Sequence, residues 1–312
     1  MVSAYCLDYH NWVCIPRHVE ENFKEMADMG YDTVCLTFSE SEMLYARRTF
    51  EILVNLAHKC GLKVHVIPSR IAGRFAGAPL MPSRWVCQHP QFAVPDGFWL
   101  PIACLDVPET TQYVNDFMSV LINDYEIDGI IWDEPKGPTL ISHHPATIAK
   151  YGENPTEENM SQSFCEFFNS ITEHCHKLNP NLVQTLFCVK NEPEYFTSAV
   201  SKNPYIEYFG YDGNLCKQRT FREEIAWAKY RIDSVWERTV KECNEAGKKT
   251  FALVETMHTP REELKNFEAN FEAYLQNYHP DHLSVYYYAH NCDAPEELQD
   301  IIKRLMKKYI KQ

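Results

Sequence analysis

Short apolar or β-rich runs alternate with helix-patterned segments eight times along the chain, and this alternation restricts the fold more than any other feature. The runs are Ala4–Tyr9, Thr33–Phe38, Lys63–Pro68, Gly129–Trp132, Leu182–Val189, Tyr205–Tyr211, Thr250–Glu255 and His282–Tyr288. Gly129–Trp132 in particular is continuously apolar without a helical period, as expected of a parallel strand buried on both faces. Between the runs the patterning predicts helices over Pro16–Met29, Met43–Cys60, Pro108–Tyr125, Thr156–Leu178, Phe221–Ala246, Pro260–Tyr278 and Pro295–Tyr309, with another starting near Glu192. Pro16 opens the first and Gly30 stops it, while Gly61 and Gly247 close two others, the usual asymmetry of helix ends. Strand–helix units in alternation specify a parallel sheet, and eight of them close into a (β/α)8 TIM barrel. An open doubly wound sheet rarely needs eight units, and the first turn carries no GxGxxG. No shift in composition marks a boundary, so residues 1–312 read as a single catalytic domain. One interruption stands out: the long loop after strand 3, Ser69–Asp106, is rich in Pro and Gly and shows no helical period.

Charge and cysteine usage exclude several functions. The formal net charge is −13 without a basic cluster, which argues against nucleic acid and against an anionic membrane surface. The 12 cysteines are scattered through predicted strands and helices with no CxxC, so they read as small buried hydrophobes in a reducing compartment. The chain starts directly on a strand-like run, and no apolar stretch is long enough to span a bilayer. The expectation is a cytoplasmic protein. Its 18 Tyr, 17 Phe and 6 Trp are a generous supply, most of it for the core, and such flat rings also suit stacking on the C–H faces of sugars.

In a TIM barrel, chemistry collects where strands end and loops begin. Those positions carry Asp8, Tyr9, His10 and Trp12 after strand 1, Ser39 and Glu40 after strand 2, and Ser69 and Arg70 after strand 3. Strand 4 ends in Asp133 and Glu134, strand 5 in Lys190 and Asn191, and strand 6 in Tyr211 and Asp212. Strand 7 offers Glu255 and His258, and strand 8 Tyr288, His290 and Asn291. Charged groups at a half-buried mouth cost stability unless paired or used. A carboxylate leaving a buried sheet is poorly solvated, which raises its pKa and suits it to act as a general acid. Pro135 ends the fourth strand just past Glu134.

Strands 4 and 7 face each other across an eight-stranded mouth, so Glu134 and Glu255 can address one bond from opposite sides. Retaining glycoside hydrolysis needs such a pair about 5–5.5 Å apart. The plainer alternative for Glu255 is an ion pair with Arg70 or Lys190. Tyr211 or Tyr288 can hydrogen-bond the nucleophile, and His258 and His290 can hold sugar hydroxyls. Arg70 suits an anionic substituent. The loop after strand 3 carries Trp85, Phe92, Phe98 and Trp99; it reads as a cover supplying stacking aromatics, or else as a second small hydrophobic cluster.

A Glu-Pro ending strand 4 and a Glu ending strand 7 resemble the clan of retaining (β/α)8 glycoside hydrolases. The resemblance spans the chain as architecture but rests on two short motifs. It implies Glu134 as acid/base and Glu255 as nucleophile. The residues at the other strand ends and in the strand-3 loop, Asp8, His10, Trp12, Arg70, Trp99, Asp133, Tyr211, Asp212, His258, Tyr288, His290 and Asn291, would bind a small glycoside, with no cofactor. That clan usually places Asn before the acid/base, where this chain has Asp133. An ionised Asp accepts but does not donate hydrogen bonds. An Asp-Glu pair on strand 4 also resembles the hexosaminidases whose substrate acetamide is the nucleophile. The literal Asn191-Glu192-Pro193 follows strand 5 and reads as a helix start.

Two other classes stay open. Glu134, Asp212, Glu255 and His258 suit the metal set of a sugar isomerase or epimerase barrel. A barrel that binds a sugar or a protein without catalysis would leave one glutamate unpaired or locked in a salt bridge.

Overall fold

Eight parallel strands pair in the order β1-β8-β7-β6-β5-β4-β3-β2, and the last closes on the first to make a barrel. They are β1 (Val2–Leu7), β2 (Thr33–Thr37), β3 (Lys63–Ile67), β4 (Gly129–Trp132), β5 (Val183–Cys188), β6 (Tyr208–Asn214), β7 (Lys249–Glu255) and β8 (His282–Tyr286). The structure, a computed structural model, describes residues 1–7, 15–78, 80–95, 97, 99–220, 222–286 and 291–310. Residues 8–9 and 287–288, read as the ends of the first and last strands, lie outside these. The helices Pro16–Met29 and Pro295–Tyr309 have the bounds the sequence predicts. Pro16 needs no amide donor in the first turn, and Gly30 stops the helix at φ 105°, which a side chain disfavours. Pro108–Asp124 and Glu157–Leu178 also match closely, the latter capped by Thr156.

Alternation along each strand sorts side chains into two cores. Cys35, Ile67, Ile131, Phe187, Tyr208, Phe251 and Leu253 pack together inside the barrel. Their neighbours Leu36, Val66, Ile130, Trp132, Phe209, Tyr211, Ala252 and Val254 join the larger core between sheet and helices. The inner parity runs on from Ile131 to Asp133, from Leu253 to Glu255, and from Tyr208 to Asp212 and Asn214, so the mouth inherits carboxylates.

The helix predicted over Met43–Cys60 is two, Glu40–Tyr45 and Arg47–Lys59, an unpredicted one spans Pro145–Tyr151, and three further segments depart from the sequence expectation. The sixth strand spans Tyr208–Asn214, three residues later than Tyr205–Tyr211. Gly210 and Gly213 lie within the strand. A Cβ at Gly210 would overlap the Phe251 carbonyl, and one at Gly213 would come within 2.9 Å of the Ile232 backbone. They let β7 and the following loop close in on β6. The predicted helix Phe221–Ala246 exists only over Trp236–Ala246. Ahead of it run a small antiparallel hairpin, Gln218–Arg219 with Ile225–Ala226, and a 3-10 turn, Ile232–Val235. Tertiary bonds override helix-favouring composition here: Arg219 N–H donates to the His258 carbonyl (2.8 Å) and Asn214 N–H to the Tyr230 carbonyl (2.9 Å).

The segment after β3 also contains structure, namely 3-10 turns at Ile71–Gly73 and Pro90–Phe92 and a short helix, Arg84–Gln88. Trp85 stacks on Tyr113 of the Pro108–Asp124 helix at 4.5 Å, with Phe92 beside it at 5.6 Å. Trp85 and Tyr113 pack against the main core and Phe92 against a small cluster of Val94, Ile102, Cys104 and Val107, and none of these rings lines the cavities at the mouth. Phe98 lies outside the described residues. No described helix is long and apolar enough to cross a membrane.

Candidate active site

Three carboxylates from three strand ends converge at the mouth. One oxygen each of Glu134, Asp212 and Glu255 lies within 4.8 Å of the others. At their centre is a cation unforeseen in the sequence, Lys229, on the loop between the hairpin and the 3-10 turn. Its Nζ donates to Glu134 Oε1 (2.5 Å), to Glu255 Oε1 (2.7 Å) and to Asp212 Oδ2. A second cation, Lys136, holds the other oxygen of Glu134.

Each partner is itself held. Asn214 is the register partner of Glu255 across β6 and β7, and its amide donates to Glu255 Oε2 (3.2 Å). The same amide's oxygen accepts from Lys229 N–H (3.2 Å), seating the loop. Tyr230 O–H donates to Asp212 Oδ1 (3.0 Å) and accepts from Lys190 N–H (2.7 Å). Arg74, nearly fully buried, gives its guanidinium to the carbonyls of Ala103 (2.7 Å) and Gly137 (2.9 Å), fixing the turn that carries Lys136.

The charges shift one another. Burial pushes the Glu134 carboxyl up, but Lys229 and Lys136 outweigh it and hold the group below the ordinary carboxylate range. Burial drives Asp212 well above that range, with Lys229 opposing and Glu134 and Glu255 adding to the rise. Burial alone would lower Lys229, yet Asp212, Glu255 and Glu134 keep it charged, well above its usual value. Burial thus favours the protonated form of Asp212, while the two lysines favour the ionised form of Glu134.

Two adjoining cavities open here. One of about 390 Å³ is lined by Arg70, Asp133, Glu134, Asp212, Lys229 and Glu255, among others. A larger one, about 800 Å³, shares Lys229, Glu255, Met257 and His258 with it and extends to Gln218, Arg219 and Asn291. Among the described residues six non-glycine positions have φ > 0, and five of them, Arg70, Glu134, Glu223, His258 and Asn291, line one or both cavities. Such strain gathers at functional sites.

The sequence-predicted residues fall into three groups. Glu134, Glu255, Asp133, Asp212, Arg70, His258 and Asn291 come together around these cavities. Arg70 and Lys190, expected as alternative partners of Glu255, instead bond the Gly77 carbonyl (2.9 Å) and Ser234 Oγ (3.1 Å). Tyr211 must be corrected: it is fully buried on the outer face of β6, where its hydroxyl donates to Glu242. It cannot reach Glu255, because its neighbour Asp212 takes the inward parity. Trp99 is 62% exposed and lines neither cavity. Asp8, His10, Trp12, Tyr288 and His290 lie outside the described residues. Glu192 borders a separate open cleft with Lys136, outside the carboxylate trio.

No protein-family model and no curated protein sequence matches the chain. Solved structures do. A β-galactosidase from the Antarctic haloarchaeon Halorubrum lacusprofundi superposes with a TM-score of 0.71 at 11% identity, over 99% of this chain and 58% of that one. An α-L-fucosidase isoenzyme 2 from Paenibacillus thiaminolyticus gives 0.61 at 12% identity, over 99% and 48%. The glycoside hydrolase domain of PelA from Pseudomonas aeruginosa gives 0.53 at 12%, covering 96% of both chains. The chain thus spans roughly half the length of the first two. At these identities the likeness establishes the (β/α)8 barrel shared with glycoside hydrolases.

Proposed function

We propose that the chain is a retaining glycoside hydrolase acting on a small glycoside, with Glu134 as acid/base and Glu255 as nucleophile. One observation carries the reading: carboxylates ending β4 and β7, on opposite sides of the mouth, have oxygens within 4.8 Å of each other. Retention calls for a carboxyl separation of about 5–5.5 Å and inversion for about 6.5–9.5 Å, which leaves room for water. The glycoside hydrolase neighbours support the same reading.

A general acid must carry a proton, whereas the lysines around Glu134 favour its ionised form and burial favours a proton on neighbouring Asp212. When a substrate displaces Lys229, the larger of the two charges that hold Glu134 ionised is removed, and Glu134 can take up a proton from Asp212. Glu134 then protonates the leaving oxygen while Glu255, oriented by Asn214, attacks the anomeric carbon. Asp133, where the clan has Asn, faces the cavity as an acceptor of sugar hydroxyls.

The carboxylate trio also favours a second reading. Hard divalent cations take such oxygen sets, and a sugar isomerase would use one if Lys229 withdrew. His258, the imidazole expected there, is not part of the trio.

Activity of the wild type, Glu134→Gln and Glu255→Gln on activated aryl glycosides, with and without EDTA, separates these readings. Loss in both variants, azide rescue of Glu255→Ala and indifference to EDTA are expected. Loss on EDTA would move the assignment to the isomerase. Intact turnover of N-acetylated substrates by Glu255→Gln would make the substrate acetamide the nucleophile.

A further inference from the structure

We propose that a cavity of about 370 Å³ beside the mouth binds the oxyanion group, carboxylate or phosphate, of an acidic sugar, with Arg70 and Arg84 as its partners. That the anion is carried on a sugar rests on the glycosidase reading. Binding there leaves Lys229 and the carboxylate trio as they stand.

The cavity is walled by residues that follow β2 and β3 and by the short helix Arg84–Gln88. Arg70 also lines the 390 Å³ cavity of the carboxylates, so one side chain borders both spaces. Charge is the first reason to expect an anion. The chain carries 43 Asp and Glu against 30 Lys and Arg, and a cation in such a chain has many carboxylates to pair with. Arg70 and Arg84 pair with none among the described residues. Arg70 gives its Nε to the Gly77 carbonyl (2.9 Å), and Arg84 gives Nη1 to the Tyr45 hydroxyl (2.6 Å). Glu40, the carboxylate that lines the cavity, is engaged elsewhere: Oε1 accepts from Ser83 Oγ (2.7 Å) and Oε2 from Trp85 N–H (3.1 Å). Two guanidinium groups without a counter-charge at one cavity match a carboxylate or a phosphate, to which each can give paired N–H bonds.

Local geometry is the second reason. Arg70 is held at φ 56°, a strained conformation for a residue with a side chain. Its Nε bond fixes the plane of the guanidinium and leaves the terminal nitrogens to a ligand. Gly77 packs so closely under Ser69 that a Cβ there would come within 2.6 Å of Ser69 Oγ. Ser69 lines the cavity and is fully buried, and its hydroxyl has no hydrogen-bond partner among the described residues. Such a hydroxyl is costly, and an oxyanion seated on the adjacent Arg70 supplies an acceptor.

The rim points to a sugar acid over a bare ion. Tyr45 and Met81, 59% and 50% exposed, line the cavity and offer apolar surface to the C–H face of a ring. An anion among the three carboxylates would be repelled; Arg70 places it beyond them.

The test is calorimetric binding to the full chain, in low and high salt. Glucuronate, galacturonate and glucose 6-phosphate are compared with glucose and galactose, and with acetate and inorganic phosphate as bare anions. The proteins are wild type, Arg84→Gln, Arg70→Gln and, as a control for general charge, Arg48→Gln, whose arginine pairs with Glu51 on the surface. At least one acidic sugar should bind wild type about tenfold tighter than its neutral counterpart, an advantage that shrinks with salt. Arg84→Gln should lose about that tenfold and leave neutral sugars unchanged. Arg70→Gln should lose it too and serves if Arg84→Gln does not fold, whereas Arg48→Gln should keep it. No preference for acidic sugars, or an equal loss in Arg48→Gln, overturns the proposal. Bare anions that bind as tightly as the acidic sugars would overturn the sugar and leave an ion site. Glutamate-dependent hydrolysis of neutral aryl glycosides without acid preference in binding would remove the anion site alone. Arginine-dependent binding of acidic sugars with no hydrolysis of any glycoside would remove the hydrolase reading alone.

Discussion

Asn214 and Glu255 are register partners on neighbouring strands, and the Asn214 amide donates to Glu255 Oε2 at 3.2 Å. That amide is oriented from its other end, where its oxygen accepts the backbone N–H of Lys229. One side chain therefore couples the aim of Glu255 to the seating of the lysine loop.

Asn214→Asp replaces this donor with a carboxylate opposite another carboxylate, an unfavourable cross-strand pair. Activity should fall by about tenfold to a hundredfold, the equivalent of one lost positioning hydrogen bond, mainly in kcat. Asn214→Ser, which keeps a donor, should recover part of it. Steady-state kinetics of the two variants checks this; an unchanged kcat in Asn214→Asp would remove Glu255 from the nucleophile role.

Tyr211 belongs to a different network. Its hydroxyl, Thr197 Oγ1 (2.6 Å) and Arg238 Nε (3.2 Å) all donate to the buried Glu242 carboxylate. Tyr211→Phe strips one donor from that charge and should cost about 1–3 kcal/mol in urea unfolding. Turnover per folded molecule should stay at the wild-type level. A selective loss of turnover would return Tyr211 to the active site.

Burial lifts the Glu192 carboxyl to about 7, with nearby Lys136 opposing and Glu134 adding to the rise. Folded protein then binds a proton between the ordinary carboxylate range and pH 7 that unfolded protein does not. Stability from this group is full below that window and is lost as pH rises through it. Glu192→Gln should match the wild-type Tm near pH 4 and exceed it at pH 8. Parallel Tm–pH curves for the two proteins would contradict this.

Gly210 is predicted to accept no side chain. A methyl group would drive into the Phe251 carbonyl, which is ladder backbone and has no rotamer by which to yield. Gly210→Ala should cost about 3 kcal/mol or more, above the usual range of overpacking, and appear as low soluble yield or a Tm drop of many degrees. A near-normal Tm would mean that β6 and β7 can separate without harm.

The barrel was legible because its signal is repeated. Eight apolar runs with helix-patterned spacers fix the architecture even where single boundaries slip. Glu134, Asp212 and Glu255 were legible for the same reason, as acids at strand ends. Lys229 was not. Residues 222–231 are rich in Glu, Ala, Lys and Arg, whose local preference is helical, and only tertiary bonds to Asn214 and the carboxylates override it. Asn214 was missed because the sixth run ends at Tyr211, whereas β6 continues to Asn214. Tyr211 was a lapse of parity: with Asp212 facing in, an adjacent residue of the same strand faces out. Nothing in the composition of Ser69–Asp106 told that Trp85 would stack on Tyr113 rather than over the mouth.

Glu134 sits at φ 25°, a conformation that costs a residue with a side chain on the order of 1–3 kcal/mol. The position of the proposed acid/base is therefore one the fold would rather give to glycine. Chemistry and folding select for different residues at this one site. A screen for thermal stability alone would drift toward the Glu134→Gly substitution and enrich inactive barrels, whereas a screen for turnover would preserve a strained Glu134 and the lower melting point that accompanies it.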